Sequence, residues 1–173
     1  VDVGTTRMYP EGEHLAHLVG YVAPPAERDM DGDPRLELPG FRVGRAGIER
    51  HHDLVLRGRA GAVQLEVNAV GRVIRELDRR EGVQGQDVQV SVDSELQKSL
   101  RGRIEEGTSV VLMDARNGEV LAMATQPSFD PNVFNSGVSS AQWRQWTANR
   151  ATPLINKATN GLYAPGSTFK MVM

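Results

Sequence analysis

The dipeptide Asn117-Gly118 is the feature that most narrows the fold of this 173-residue chain. It separates two apolar runs, residues 110–113 and 120–124. Asn-Gly favours a two-residue type I′ turn, because both central positions of that turn need a positive φ and its twist matches that of two antiparallel strands. The sequence therefore predicts a β-hairpin here and an antiparallel sheet in the second half of the chain.

A second hairpin is predicted upstream of the first. Residues 63–67 alternate apolar and polar side chains, which is the period of a half-buried strand. Gly71 marks a turn, after which residues 72–77 can return as the partner strand. The charged and Gly-rich residues 78–87 indicate a linker or an exposed hairpin.

The stretch between the two hairpins combines a strand pattern with a helix pattern. Residues 88–92 again alternate apolar and polar side chains and predict a strand. Ser94 and Gln97 then fit a capping box, which indicates the start of an amphipathic helix that ends near Gly107.

Two further helices are predicted, one in each half of the chain. The first covers residues 48–57, after two glycines that can supply tight backbone turns. The second covers residues 139–150, where Trp143 and Trp146 lie three residues apart. We interpret both tryptophans as packing residues, because a Trp pair at helical spacing is usually part of a core.

Composition excludes several classes of protein. With 22 acidic and 20 basic residues the net charge is −2, so no strongly basic surface indicates nucleic-acid binding. The chain has no cysteine, which rules out disulfides and Cys-zinc sites. No apolar run approaches the ~20 residues of a membrane span. The chain begins with Val1 and shows no signal peptide, so we interpret it as a piece of a longer protein.

The candidate chemistry lies at the end of the chain, where Pro165 and Gly166 precede Ser167 and Lys170. If a helical turn starts at Ser167, residues three apart share a face and the Lys170 amine stands beside the Ser167 hydroxyl. A serine becomes a useful nucleophile when a neighbouring base takes its proton, and a lysine can be that base when its pKa is lowered. The bland alternative is an ordinary surface lysine after a capping serine.

Longer strings around these residues carry a resemblance. Residues 161–170, Gly-Leu-Tyr-Ala-Pro-Gly-Ser-Thr-Phe-Lys, resemble the active-site entry of the penicillin-binding proteins. Class D β-lactamases and β-lactam sensor domains also carry Ser-x-x-Lys, but they have no large module upstream of the serine. Residues 7–12, Arg-Met-Tyr-Pro-Glu-Gly, and residues 44–49, Gly-Arg-Ala-Gly-Ile-Glu, are similar to two motifs of the non-catalytic module of class B penicillin-binding proteins.

The resemblance implies a fold and a division of the chain. We expect an α+β protein with an elongated, dimerisation-type pedestal module over residues 1–87, truncated at its N-terminus. The first part of a transpeptidase domain, an antiparallel sheet with helices, would follow over residues 88–173. Glu49 either binds arginine at a module interface or is a solvated first-turn glutamate. Residues 65–73 look most like the elongation-type members, the group represented by penicillin-binding protein 2.

The resemblance also implies a function. The parent would be a peptidoglycan D,D-transpeptidase of cell-wall synthesis and cell elongation, with Ser167 as nucleophile and Lys170 as base. It would act on D-Ala-D-Ala stem peptides, be acylated by β-lactams, and need no cofactor or metal. It would be periplasmic and anchored to the inner membrane by an N-terminal helix outside this chain. The chain lacks the family's Ser-x-Asn and Lys-Thr-Gly motifs, so we expect the fragment itself to be inactive.

Two alternatives to this function stay open. The chain could serve as a non-catalytic periplasmic module that docks other wall-synthesis proteins, which for the family are a membrane-embedded glycan polymerase and cell-shape scaffold proteins. The parent could also be a division-specific class B protein. No nucleic-acid partner is expected, since the surface carries no net positive charge.

Overall fold

The fold is α+β, as predicted. A computed structural model describes residues 6–30, 36, 40–59 and 61–172. Within these ranges the α-helices are α1 (Ala16–Val19), α2 (Gly47–His51), α3 (Asp53–Arg57), α4 (Ser94–Arg101), α5 (Val133–Ser136), α6 (Ser140–Ala148) and α7 (Lys157–Asn160). The strands are β1 (Val22–Ala23), β2 (Val43–Gly44), β3 (Ala62–Val67), β4 (Val73–Arg80), β5 (Ser109–Met113) and β6 (Val120–Thr125). Short 3-10 helices cover Gly12–His14, Glu27–Asp29 and Gly166–Met171.

The described strands pair two by two, and every pair is antiparallel. β1 pairs with β2, β3 with β4, and β5 with β6. We call residues 6–59 the N-terminal region and residues 91–172 the C-terminal region; the β3–β4 hairpin lies between them in sequence. Among the described helices, none is both long enough and apolar enough to cross a membrane.

The β5–β6 hairpin forms where Asn117-Gly118 predicted it, but its turn is wider than predicted. Only Gly118 has a positive φ, of 79°, so the turn is not type I′. Asp114 closes the loop instead: its amide donates to the Glu119 carbonyl at 2.9 Å and its carbonyl accepts from the Gly118 amide at 2.8 Å. Its carboxylate also accepts from the Arg116 amide at 2.8 Å. An aspartate that bonds the backbone two residues on supplies its own turn, which explains the change.

Helix α4 packs on β6 and is capped differently from the prediction. The N-cap is Asp93, whose carboxylate accepts from the amides of Glu95 at 2.9 Å and Leu96 at 3.0 Å. The predicted capping box of Ser94 and Gln97 is therefore wrong by one residue. The helix ends at Arg101 rather than near Gly107, because the chain turns at Gly102.

Residues 88–92 do not form the predicted strand. The segment meets β6 at one end only, where the Asp93 amide donates to the Leu121 carbonyl at 2.9 Å. The Ser91 hydroxyl adds a bond to the Val120 carbonyl at 2.8 Å. Alternation gives a segment an apolar and a polar face, but a strand also needs a neighbouring strand whose backbone N–H and C=O groups are free to pair with it.

The β3–β4 hairpin is present but is not half-buried as predicted. Nearly all of its residues are exposed, with Val63 at 45% and Val73 at 53%. No helix of the described chain covers either face, so the alternating pattern has no core to face. The following residues return to the N-terminal region through paired backbone bonds between Arg59 and Val83, both 2.8 Å, and one from Gln86 to Val55.

The predicted helix over residues 48–57 is interrupted. His52, with φ −110° and ψ 23°, separates α2 from α3. Aspartate follows as the first residue of α3, and its carboxylate accepts from the Gly44 amide at 2.8 Å. This bond ties the second helix to β2 and holds the break.

An aromatic cluster joins the two regions. Tyr21 stacks on Phe134 with ring centroids 3.7 Å apart, and Phe129 meets both rings edge-on. Trp146 packs on Phe129 and Phe134 at about 6 Å, as predicted for a packing residue. Trp143 is 47% exposed, so that half of the prediction is wrong: α6 presents one tryptophan to the cluster and the other to solvent.

Candidate active site

Ser167 and Lys170 lie on the same exposed 3-10 turn, Gly166–Met171. Gly166 enters it with a φ of 54°, a conformation that favours glycine, directly after Pro165. The predicted turn therefore exists, but as a 3-10 helix, in which side chains three apart eclipse each other. Among the described residues no hydrogen bond joins the two side chains, so the turn places them on one face without yet connecting them.

The approach to this turn is fixed by Gly161 and Tyr163. A side chain at Gly161 would meet the Lys157 carbonyl oxygen at 2.4 Å and the Tyr163 ring at 2.5 Å, so only glycine fits. The Tyr163 hydroxyl donates to the Gly107 carbonyl at 2.9 Å, just before β5. The chain that leads to Ser167 is thus tied both to α7 and to the β5–β6 hairpin.

Lys157, at the start of α7, is buried without a carboxylate partner among the described residues. Its ammonium donates to the Thr152 carbonyl at 3.1 Å. Burial lowers the pKa of Lys157, and only the more distant Glu106 opposes that shift. Thr152 has a φ of 46°, rare for a residue other than glycine. No sequence pattern indicates this lysine, because its burial depends on the path that residues 149–156 take.

Arg7 and Glu49 bring the two N-terminal motifs together. The Arg7 Nε and one terminal nitrogen donate to the two carboxylate oxygens of Glu49 at 2.7 and 3.0 Å. Glu49 is buried, and its hydrogen bond raises the pKa of Arg7. Of the two alternatives for Glu49, the solvated glutamate is wrong and arginine binding is correct, although Arg7 belongs to the same N-terminal region and the pair does not lie at a module interface.

Tyr9, from the first of these motifs, is also buried. Its hydroxyl oxygen accepts from the Val22 amide at 2.9 Å, and burial is the main cause that raises its pKa. Arg7 and Tyr9 therefore organise the N-terminal region from inside.

The glycines of the second motif permit a close backbone approach. A Cβ on Gly44 would lie 1.9 Å from the Glu49 carbonyl oxygen, and one on Gly47 would lie 2.3 Å from that of Leu18. Gly20, at the end of α1, faces Ala46 at 1.9 Å in the same way. These contacts leave no room for a side chain, so the end of α1 and the start of α2 touch through backbone alone.

Side chains of the C-terminal region hold backbone carbonyls of the N-terminal region. We call this set the junction; it consists of Gln97, Ser128, Asn132, Asn135 and Asn156. In that order they donate to the carbonyls of His14 at 2.8 Å, Glu13 at 2.9 Å, Tyr9 at 3.0 Å, Arg7 at 2.5 Å and His17 at 3.2 Å. Each such bond typically stabilises by about 0.5–1.5 kcal/mol, and together they fix one region on the other.

Gln97 is the most buried member of the junction, at 1% exposure. Its amide nitrogen donates to the carbonyls of His14 and Met123, both at 2.8 Å, and its oxygen accepts from the Met123 amide at 2.8 Å. The sequence pattern predicts Gln97 in a capping box and does not indicate this role. A polar residue on the inner face of an otherwise amphipathic helix was the signal that could have found it.

An apolar groove of about 420 Å³ runs beside the junction. It lies between the N-terminal region and residues 87–90, and its lining includes Met8, Leu15, Ile48, Leu56 and Val90. Arg7 and Glu49 reach its wall. The groove is a surface on which another protein could pack.

Comparison with known proteins defines the class. Residues 1–90 match the penicillin-binding protein dimerisation domain, and residues 108–173 match the penicillin-binding protein transpeptidase domain. The chain belongs to the penicillin-binding protein family, as the motifs predicted.

Individual relatives narrow the group. Over 170 residues the chain is 38% identical to the peptidoglycan D,D-transpeptidase MrdA of Escherichia coli K12. The aligned residues make up 95% of this chain and 27% of that protein. Helicobacter pylori PBP2 in complex with MreC superposes with a TM-score of 0.79 at 32% identity, over 95% of this chain and 31% of that one. Pseudomonas aeruginosa PBP2 in complex with WCK 5153 superposes with a TM-score of 0.75 at 31% identity, over 98% of this chain and 34% of that one.

These relatives confirm the predicted likeness to the penicillin-binding protein 2 group. The chain spans about a quarter of the length of the curated relative, so it corresponds to one part of such a protein.

Proposed function

We propose that this chain is part of a serine D,D-transpeptidase of peptidoglycan synthesis. The observation that carries the proposal is the single exposed turn on which Ser167 and Lys170 share a face, inside the stretch that matches the transpeptidase domain. The full-length protein is periplasmic and anchored in the inner membrane. Its substrates are D-Ala-D-Ala stem peptides, and it acts in cell elongation.

The proposed reaction proceeds in two steps, acylation of Ser167 and transfer of the acyl group to an amine. Lys170 takes the proton of Ser167 as Oγ bonds to the carbonyl carbon of the penultimate D-Ala; the peptide C–N bond then breaks, and D-Ala leaves with a proton on its nitrogen. The amine of a neighbouring stem attacks the acyl-enzyme, forms a new amide and releases Ser167, which regains its proton. Backbone N–H groups near the serine stabilise the oxyanion in both steps. A β-lactam follows the first step and stays attached.

Acylation of the full-length protein by a fluorescent penicillin, read by intact mass, tests this proposal. We expect one adduct on Ser167, no adduct with Ser167→Ala or Lys170→Ala, and an adduct still formed with Thr168→Val, which removes the neighbouring hydroxyl as a control. Normal labelling of the Lys170→Ala variant would show that another group is the base. The 173-residue chain alone should form no adduct, because it contains neither a Ser-x-Asn nor a Lys-Thr-Gly string.

A second role, docking of other wall-synthesis proteins, is favoured by the apolar groove and by the H. pylori relative, whose structure is a complex with MreC. The partners we propose are a cell-shape scaffold protein and a membrane-embedded glycan polymerase. Val90→Asp in the groove should weaken binding of a purified MreC-type scaffold at least tenfold. Val83→Asp, an exposed valine outside the groove, is the matched control. Equal binding by both variants would remove the groove as the docking site.

A further inference from the structure

We propose that Asn156 is a positioning residue for acylation, because it sets the chain that leads to Ser167 against the N-terminal region. This inference rests on the proposed function and adds a residue outside the Ser-x-x-Lys turn. It is carried by the way in which the Asn156 carboxamide divides its two ends between two partners.

The carboxamide of Asn156 serves two structures at once. Its oxygen accepts from the Ala158 amide at 3.1 Å and so caps α7. Its nitrogen donates to the His17 carbonyl at 3.2 Å, at the other side of the junction, and lies 3.5 Å from the Met123 sulfur. Asn156 is therefore the member of the junction that also begins a helix on the path to the serine.

His17, which accepts this bond, is itself held in place by two contacts of its ring. Its ring Nε2 lies 2.8 Å from the Pro153 carbonyl, to which it donates, and its ring meets Phe129 edge-on with centroids 5.4 Å apart. One residue of α1 thus holds residues 153–156 at both ends, through its side chain at Pro153 and through its carbonyl at Asn156.

A displacement of α7 would also move the short segment that connects it to Ser167. The Gly161 amide closes α7 on the Lys157 carbonyl at 3.1 Å, and the space at Gly161 admits no side chain. Only five residues separate Gly161 from Ser167. Because a misplacement of about 1 Å can cost roughly a hundredfold in rate, a small shift of α7 is enough to slow acylation.

Two substitutions separate the cap, which is the bond from the Ala158 amide, from the tie, which is the bond to the His17 carbonyl. Asn156→Asp keeps an oxygen for the Ala158 amide but turns a carboxylate towards the His17 carbonyl, so it keeps the cap and loses the tie. Asn156→Ala loses both. In the full-length protein we expect both variants to lower the acylation rate constant for a fluorescent penicillin roughly tenfold or more. Hydrogen exchange at Ala158 should speed up only in Asn156→Ala.

Asn132→Asp is the control. It removes the donor to the Tyr9 carbonyl and to the Asp130 carboxylate and sets two carboxylates side by side, so it loosens the junction at least as strongly, but at a part that does not lead to the serine. We expect this variant to acylate within about twofold of the unaltered protein while its Tm falls by at least as much as that of Asn156→Asp. The measured constant is the rate of adduct formation at saturating penicillin, which reports on folded enzyme and is not changed by a smaller folded fraction.

The outcomes separate this inference from the proposed function. If Ser167→Ala abolishes labelling and Asn156→Asp labels at the normal rate, the function stands and the inference is wrong. Equal slowing by Asn156→Asp and Asn132→Asp would also overturn it, since general loosening of the junction would then be the cause. If the unaltered full-length protein forms no adduct, both proposals fall together.

Discussion

The two long hairpins of this chain differ in what covers them. Strands β3 and β4 are exposed on both faces, whereas β6 buries Ala122 and Ala124 completely beneath α4 and α7. Both hairpins surround a glycine-containing turn, but β5 and β6 are nearly continuous apolar runs, whereas β3 and β4 interleave apolar with polar and charged residues. Local pattern thus creates a hairpin, while neighbouring helices decide whether it becomes part of a core.

The hairpins also differ in how they hold their charges and polar groups. β3–β4 carries ion pairs on its surface, such as Arg75 with Glu66. The β5–β6 hairpin instead receives a buried amide, Gln97, which bonds both backbone groups of Met123. Substitutions at corresponding places in the two hairpins should therefore change the free energy of unfolding by very unequal amounts.

The largest effect is expected for a charge placed beneath α4. Ala122 is 0% exposed, so Ala122→Asp buries a carboxylate without a partner and should destabilise the C-terminal region by more than about 4 kcal/mol. Val73→Asp on β4, where the valine is 53% exposed, should cost less than about 1 kcal/mol. Urea unfolding followed by circular dichroism measures both. Similar costs would mean that β3–β4 is covered in solution.

A smaller loss is expected when Gln97 is replaced. Gln97→Leu leaves the Met123 amide and two carbonyls without partners, which should cost about 3 kcal/mol, taking the lower end of roughly 1–3 kcal/mol for each of the three unsatisfied buried groups. Gln64→Leu on exposed β3 is the control and should change the free energy of unfolding by no more than about 0.5 kcal/mol. A Gln97 variant as stable as its control would contradict the junction described above.

Acid should loosen the junction and spare β3–β4. Burial lowers the pKa of His17 from the usual 6.5 of a histidine to about 4, so the unfolded chain binds more protons between these two pH values. Stability is retained above pH 6.5 and is lost as pH falls towards 4, by about 1–2 kcal/mol at pH 5. Hydrogen exchange at both hairpins across this range measures the effect. His17→Gln should flatten the dependence, and a slope that survives this change would assign it to another group.

The smallest effect is expected at the surface of β3–β4. The side chains of Arg75 and Glu66 are 68% and 40% exposed, so Arg75→Ala should cost about 0–1 kcal/mol, and less at high salt. Thermal unfolding at low and high ionic strength measures this. A loss above 2 kcal/mol that persists in salt would show that the pair is buried against something in solution.

How much of the fold could be predicted depends on the range of the interactions that set it. Both hairpins followed from local pattern and turn residues, and the α+β class followed from them. The turn at Asp114 was missed because its carboxylate competes with Asn117-Gly118 for the loop, and spacing alone does not rank the two. Residues 88–92 were misassigned because a strand depends on a partner that no local pattern specifies.

The candidate site divides in the same way. The serine and lysine were predicted from a short motif, since residues three apart share a face in either kind of helical turn. Gln97, Asn156 and Lys157 were missed as site neighbours, because each acts on a group that is distant in sequence or on a loop whose path is set by tertiary packing. Glu49 was predicted only as one of two alternatives, and its burial decided between them.

The junction has a consequence for how such proteins can diverge. Each of its five donors binds a main-chain oxygen of the N-terminal region, which every residue type provides. These bonds therefore constrain the backbone path of that region, whereas several of its side chains also reach across, among them His17 to the Pro153 carbonyl, Arg42 to the Asn135 carbonyl and Tyr21 to the Phe134 ring. An N-terminal region from a distant species should accordingly seat on this C-terminal region if it keeps the same backbone path and the side chains that reach across.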